Sequence, residues 1–125
     1  MGVNEIGAMR YVSLATFRKS GAAVRTPVWI AAANNKLYVY SEGDAGKVKR
    51  IRANGKAQLA ACDMRGKLLG DFVDASGRIV NDEPERAQAF AALKAKYGWQ
   101  MGIANALSRL SGKYAKRTVL AFELW

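Results

Sequence analysis

The stretch Ser41-Glu-Gly-Asp-Ala-Gly-Lys-Val-Lys-Arg-Ile-Arg-Ala-Asn54 decides how the rest of the chain is read. It follows an apolar run, Leu37-Tyr-Val-Tyr40, whose residue types suit a strand. Gly43 and Gly46 loosen the backbone ahead of a short basic helix. Lys47, Arg50 and Asn54 fall three and four residues apart and share one helical face, while Val48 and Ile51 supply the apolar side that docks it. A strand that passes through a glycine-containing turn into a helix start presents backbone N–H groups and the positive end of the helix dipole, which favours a phosphate. The same residues also read as a solvated basic helix joining two strands, and the stretch alone leaves both readings open.

Working outward, Asn4 to Met9 suits a short opening helix with Asn4 as its cap. Tyr11 to Arg18 reads as a strand and Lys19-Ser20-Gly21 as a hairpin turn. Ala22 to Ala33 reads as a second strand, locally broken by Pro27, and Asn34-Asn35 turns the chain into a third, Lys36 to Ser41. After the basic helix come a fourth strand, Lys56 to Met64, and a fifth, Leu68 to Val80, interrupted at Gly77. Asn81-Asp82-Glu83-Pro84 is a helix start, with Phe90, Leu93 and Tyr97 on one face and Gly98 as the stop. A second helix is expected from Trp99 to Leu110, and a last strand from Tyr114 to Trp125. Both faces of that strand are apolar, which suggests a closed barrel or packing against a partner chain. The expectation is a mainly β, six-stranded antiparallel split barrel, a single domain over residues 1–125, with a short helix after the third strand and a helical pair before the last.

Half of the 125 residues are hydrophobic, so a real core is available. The formal net charge is +10, which attracts anions. The absence of histidine removes the commonest general base, zinc ligand and proximal haem ligand. The single cysteine, Cys62, excludes an internal disulfide, has no histidine to activate it, and suits a buried thiol in a reducing cytoplasm. No basic segment followed by an apolar run opens the chain, and no apolar stretch approaches membrane-spanning length, so the expected location is cytoplasmic.

The second notable stretch is Arg25-Thr-Pro-Val-Trp29. Pro27 removes a ladder donor, Thr26 offers a hydroxyl, Arg25 a guanidinium fork suited to phosphate, and Trp29 a face for a planar ring. An edge strand with a bulge, Trp29 in the core and Arg25 in water, reads equally well. Asp63 and Arg65 read as turn residues, with Arg65 able to reach an anionic tail. Glu83 and Glu85 read as first-turn charges, not an acid/base pair. Lys113, Lys116 and Arg117 read as a solvated basic edge, and Trp125 as a residue either of a dimer seam or of solvent. No metal constellation, nucleophile–base pair or dinucleotide fingerprint exists, so enzymatic chemistry would belong to a bound cofactor.

The series Tyr11-Val-Ser-Leu-Ala-Thr-Phe-Arg18, Arg25-Thr-Pro-Val-Trp29, Leu37-Tyr-Val-Tyr-Ser41, Gly46-Lys-Val-Lys-Arg-Ile-Arg52 and Ala60-Ala-Cys-Asp-Met-Arg-Gly66 resembles the pyridoxamine-phosphate-oxidase-like split β-barrel flavoproteins. Within them it is most similar to the actinobacterial deazaflavin-dependent class that uses coenzyme F-420. Glu83 to Tyr97 also fits; the stretch from Gly98 to Gly112 departs from the pattern. The resemblance implies a homodimer with two cofactor sites at the subunit interface. It places the cofactor phosphate on Lys47 and Arg50 with help from Ser41 and Thr26. It places the ring along the backbone of Thr26, Pro27 and Val28, with Arg65 and the C-terminal strand approaching from the partner subunit; Arg25 is counted with the cofactor-binding residues. It implies an oxidoreductase that passes hydride to a small-molecule acceptor, with no catalytic side chain assigned.

The excess of lysine and arginine favours coenzyme F-420, with its polyglutamate tail, over FMN. A non-catalytic carrier on the same barrel is the alternative. A nucleic-acid-binding barrel ranks last, because Phe17, Trp29 and Phe122 lie in apolar surroundings that suit the core.

Overall fold

The structure is a computed structural model and describes residues 2–42, 45–98 and 117–124. In chain order it contains α1 (Val3–Gly7), β1 (Tyr11–Phe17), β2 (Ala23–Val28), β3 (Ile30–Ala33), β4 (Lys36–Glu42), α2 (Gly46–Asn54), β5 (Lys56–Cys62), β6 (Val73–Ile79), α3 (Glu83–Tyr97) and β7 (Arg117–Leu124). The strands form one antiparallel sheet in the order β2-β1-β5-β6-β7-β4-β3. β2 and β3 therefore sit at opposite edges, yet only Trp29 separates them along the chain. The two edges must meet there, which curls the sheet into the split barrel. Counted as one bent strand, β2 and β3 restore the six strands expected. Pro27 lies in the register Ser13↔Pro27 on an edge strand, where its missing N–H costs no ladder partner.

Local chemistry sets the remaining boundaries. Asn34 and Asn35 both adopt positive φ, 53° and 60°, the left-handed pair that a tight hairpin between β3 and β4 requires. Asp82 caps α3 by accepting the Glu85 N–H at 2.9 Å, with Pro84 in the first turn and Gly98 at the end. Gly55, at φ 69°, closes α2. The opening helix begins two residues into the chain, with its cap at Gly2 and not at Asn4. The fifth expected strand starts at Val73; the 63–72 segment before it is a loop, held at its base by the Asp63 carboxylate, which accepts the Arg65 and Lys67 N–H groups at 2.9 Å each. The helix expected over Trp99 to Leu110 lies outside the described residues.

The core has two layers. Val12, Leu14, Leu37, Val39, Leu59, Leu120 and Phe122 fill the barrel, and Val48 and Ile51 of α2 plug it. On the outer face of β4 and β7, Tyr38, Val119 and Ala121 pack beneath Val80 and Ala89. The double-sided apolar pattern of the last strand is thus covered by α3 of the same chain, and by itself makes no case for a second copy.

Glu85 ties that outer layer down. Both oxygens accept from Arg78, at 2.9 and 2.7 Å, and Oε2 also accepts the Tyr38 hydroxyl at 2.7 Å, with Lys36 at 3.9 Å. The Arg78 guanidinium, then the Tyr38 hydroxyl, hold the Glu85 carboxyl at about 2, while burial and Glu85 push Tyr38 up to about 12. A carboxyl held below its ordinary value stabilises the fold above about pH 4.5 and loses that stabilisation as the pH falls towards 2. Glu85→Gln is therefore expected to lower stability at pH 7 and to flatten its decline between pH 4.5 and 2.5, measured by urea unfolding. A variant with the wild-type acid slope contradicts this assignment.

Candidate functional site

The bend between β2 and β3 opens a cleft of about 400 Å³ on the outer face of the barrel, lined by Tyr11, Pro27, Val28, Trp29, Tyr40, Lys47 and Met64. β1 brings Tyr11, and β4 brings Tyr40 on the same face as the covered Tyr38. α2 brings Lys47 in its first turn. Met64 arrives on the 63–72 loop, which lies on Pro27: Gly66, at φ 89°, has no side chain, and a Cβ there would stand 3.2 Å from the proline ring. Trp29 is half-buried and forms a wall of the cleft, not part of the barrel core.

Of the residues singled out in the sequence, Pro27, Val28, Trp29 and Lys47 meet in this cleft. Thr26 precedes them on β2, half-buried. Ser41 is buried near the end of β4, opposite Thr118. Arg50 lies one helical turn beyond Lys47, and its Nε donates to the buried Thr16 Oγ1 at 2.7 Å. Its Nη1 lies 2.8 Å from where a Cβ on Gly46 would sit, so the bare glycine is what lets the guanidinium lie along the start of α2. Arg25 and Arg65 stay on the surface; the Arg25 guanidinium covers the Phe72 ring at 4.8 Å. Cys62 is buried, and burial, then Asp63, push its thiol up, as suits a structural residue.

Sequence reasoning missed Tyr11, Tyr40 and Met64, and it missed what holds the bend. The end of α3 does that. The Tyr97 hydroxyl accepts the Ile30 N–H at 2.9 Å and stands 2.9 Å from the Arg10 carbonyl and 3.1 Å from that of Ile30. The Lys96 ammonium donates to the carbonyls of Gly7 at 2.7 Å, Ile30 at 2.6 Å and Met9. Burial, then the Arg10 guanidinium, pull Lys96 down to about 8, while three carbonyl acceptors for three N–H donors favour the charged form. The signal available in sequence was the adjacency of Lys96 and Tyr97 to the helix stop at Gly98.

Residues 4–124 match the family model described as pyridoxamine 5'-phosphate oxidase. The chain belongs to this family. No curated protein matches it significantly. Among solved structures, it is similar in fold to the haem storage protein HutZ of Vibrio cholerae (TM-score 0.70, 13% identity, 98% of this chain and 87% of that one). An FAD-binding protein of Mesorhizobium loti aligns with TM-score 0.64 and 17% identity over 95% and 82% of the two chains. An F-420 reductase aligns with TM-score 0.61 and 16% identity over 100% and 94%. At these identities the likeness is one of fold, and this member of the oxidase family is read from its own cleft. Among the described residues, no cluster of histidine, cysteine, aspartate and glutamate suits a metal, and no helix is long and apolar enough to cross a membrane.

Lys96→Met is expected to lower stability by about 1.5–3 kcal/mol, because it strips a charged donor from buried carbonyls of two segments. Urea unfolding checks it, and a variant as stable as wild type contradicts the clamp.

Proposed function

We propose that this chain binds a flavin-type cofactor in the cleft at the strand bend and serves as an oxidoreductase. The observation that carries the reading is the pairing of flat aromatic walls with one cation at the start of a helix, in a cleft of about 400 Å³. That volume lies within the roughly 300–1,000 Å³ of small-molecule sites. Trp29, Tyr11 and Tyr40 offer ring faces, Pro27 and Val28 an apolar floor, and Met64 an adaptable lid. The first turn of α2 favours an anion, Lys47 adds a charge, and Arg50 lies against Gly46 in the same turn. These features fit a phosphate-bearing planar ring. When bound, such a ring supplies two-electron hydride chemistry, and the chain's part is to hold it, orient it and exclude water.

Coenzyme F-420 is favoured over FMN, because a net charge of +10 suits a polyanionic tail. The solved structures similar in fold include an F-420 reductase and an FAD-binding protein. The haem storage relative suggests another ligand, but this chain has no histidine to serve as the usual axial ligand. Binding without turnover is the second reading, since the described residues that line the cleft carry no carboxylate, thiol or histidine. Oxidation of the reduced cofactor by an added acceptor separates the two. The proposal includes a homodimer and a small-molecule acceptor, with no nucleic acid. Met64 in the cleft lining and Leu69 on the same loop, exposed at 69% and 66%, are the apolar surface a second copy would cover.

Titration with each cofactor tests the reading. Lys47→Ala is expected to weaken binding about 10- to 100-fold, the worth of one charged hydrogen bond. Arg50→Ala is expected to weaken binding and also to destabilise the fold, because Thr16 loses its partner. Wild-type affinity in Lys47→Ala, or binding of neither cofactor by the wild type, overturns the reading.

A further inference from the structure

We propose that Tyr97 is a positioning residue for the cleft, fixing the plane of Trp29 against which a planar ligand lies; this rests on the cofactor reading above. Trp29 is the one residue between β2 and β3, outside the ladder on either side, so strand pairing does not orient its side chain. Among the described residues its half-buried indole has one ring partner: it stacks on Tyr97 with centroids 4.7 Å apart and planes 11° from parallel. Tyr97 itself is anchored. It is 3% exposed, packs with Leu93 and Ala31, and its hydroxyl is fixed by the Ile30 and Arg10 backbone. Arg10 and Lys96 stand 5.8 and 5.0 Å from its ring. Tyr97 does not line the cleft. It acts through Trp29, and its two halves do different work: the hydroxyl holds the bend, and the ring holds the indole flat.

Two variants separate these parts. Tyr97→Phe keeps the ring and loses the hydroxyl; Tyr97→Leu loses both but keeps apolar volume. Val80→Ala, buried beneath the same helix and neither lining the cleft nor paired with a residue that does, controls for general destabilisation. Affinities for FMN and coenzyme F-420 are measured by fluorescence titration well below every melting temperature. Tyr97→Leu is expected to weaken binding about tenfold, the scale of one aromatic pair, with Tyr97→Phe and Val80→Ala close to wild type. In the cofactor-free protein, near-ultraviolet circular dichroism gives the Trp29 band as the difference between wild type and Trp29→Leu. Tyr97→Leu is expected to lose that band and Tyr97→Phe to keep it. Equal affinity losses in Tyr97→Leu and Val80→Ala, or an intact Trp29 band in Tyr97→Leu, overturn the proposal. Should Tyr97→Leu fail to fold, Trp29→Leu reads the same wall: about tenfold weaker binding supports the proposal and unchanged binding overturns it. Binding of neither cofactor by the wild type sinks the cofactor reading alone, and the band still decides the role of Tyr97.

Discussion

The backbone at Trp29 and Ile30 carries the constraint on which the rest of the structure depends. A sheet whose first and last strands are halves of one chain segment must bend that segment sharply. A bend takes backbone groups out of the ladder, and buried groups without partners cost roughly 1–3 kcal/mol each. Here the cost is offset by a helix more than sixty residues away in sequence. Tyr97 takes the Ile30 N–H, and Lys96 takes the Ile30 carbonyl together with those of Gly7 and Met9. The bend, the opening helix and the end of α3 are thereby one polar knot.

Two consequences follow for the shape of the molecule. The knot fixes where α3 lies, and α3 then covers the outer faces of β4 and β7, with Glu85 bound to Arg78 and Tyr38 at its start. The knot also leaves the stretch from Pro27 to Trp29 projecting as a wall, opposite Tyr40 and the first turn of α2. The cleft is therefore a by-product of closing the barrel. A residue that stabilises the closure, such as Tyr97, also shapes the wall.

Much of this was legible in the sequence. The Asn34-Asn35 turn, the Asp82-Glu83-Pro84 start and the Gly98 stop each have a local physical cause, and the structure places all three as read. Pro27 reads as the break in the strand, but it stays in register opposite Ser13 and the strand divides at Trp29, where the chain passes from one edge to the other. That the two pieces belong to opposite edges was not legible, because edge assignment is set by pairing between distant strands. Lys47 was legible from helical spacing. The same spacing put Arg50 on that face, and its guanidinium does lie along the start of α2, but its bond to Thr16 spans thirty-four residues and no local pattern encodes it. For Trp29 the sequence leaves open a face for a planar ring or a place in the core; the structure puts it in the cleft wall, stacked on Tyr97.

The most direct test of the central claim is a crystal structure of the chain grown with FMN or coenzyme F-420. The account predicts a ring lying against Trp29 at the bend, its phosphate beside Lys47 and the start of α2, and Ile30 still bonded to Lys96 and Tyr97. A ring bound elsewhere, or a cleft that forms with the Ile30 bonds broken, would contradict it.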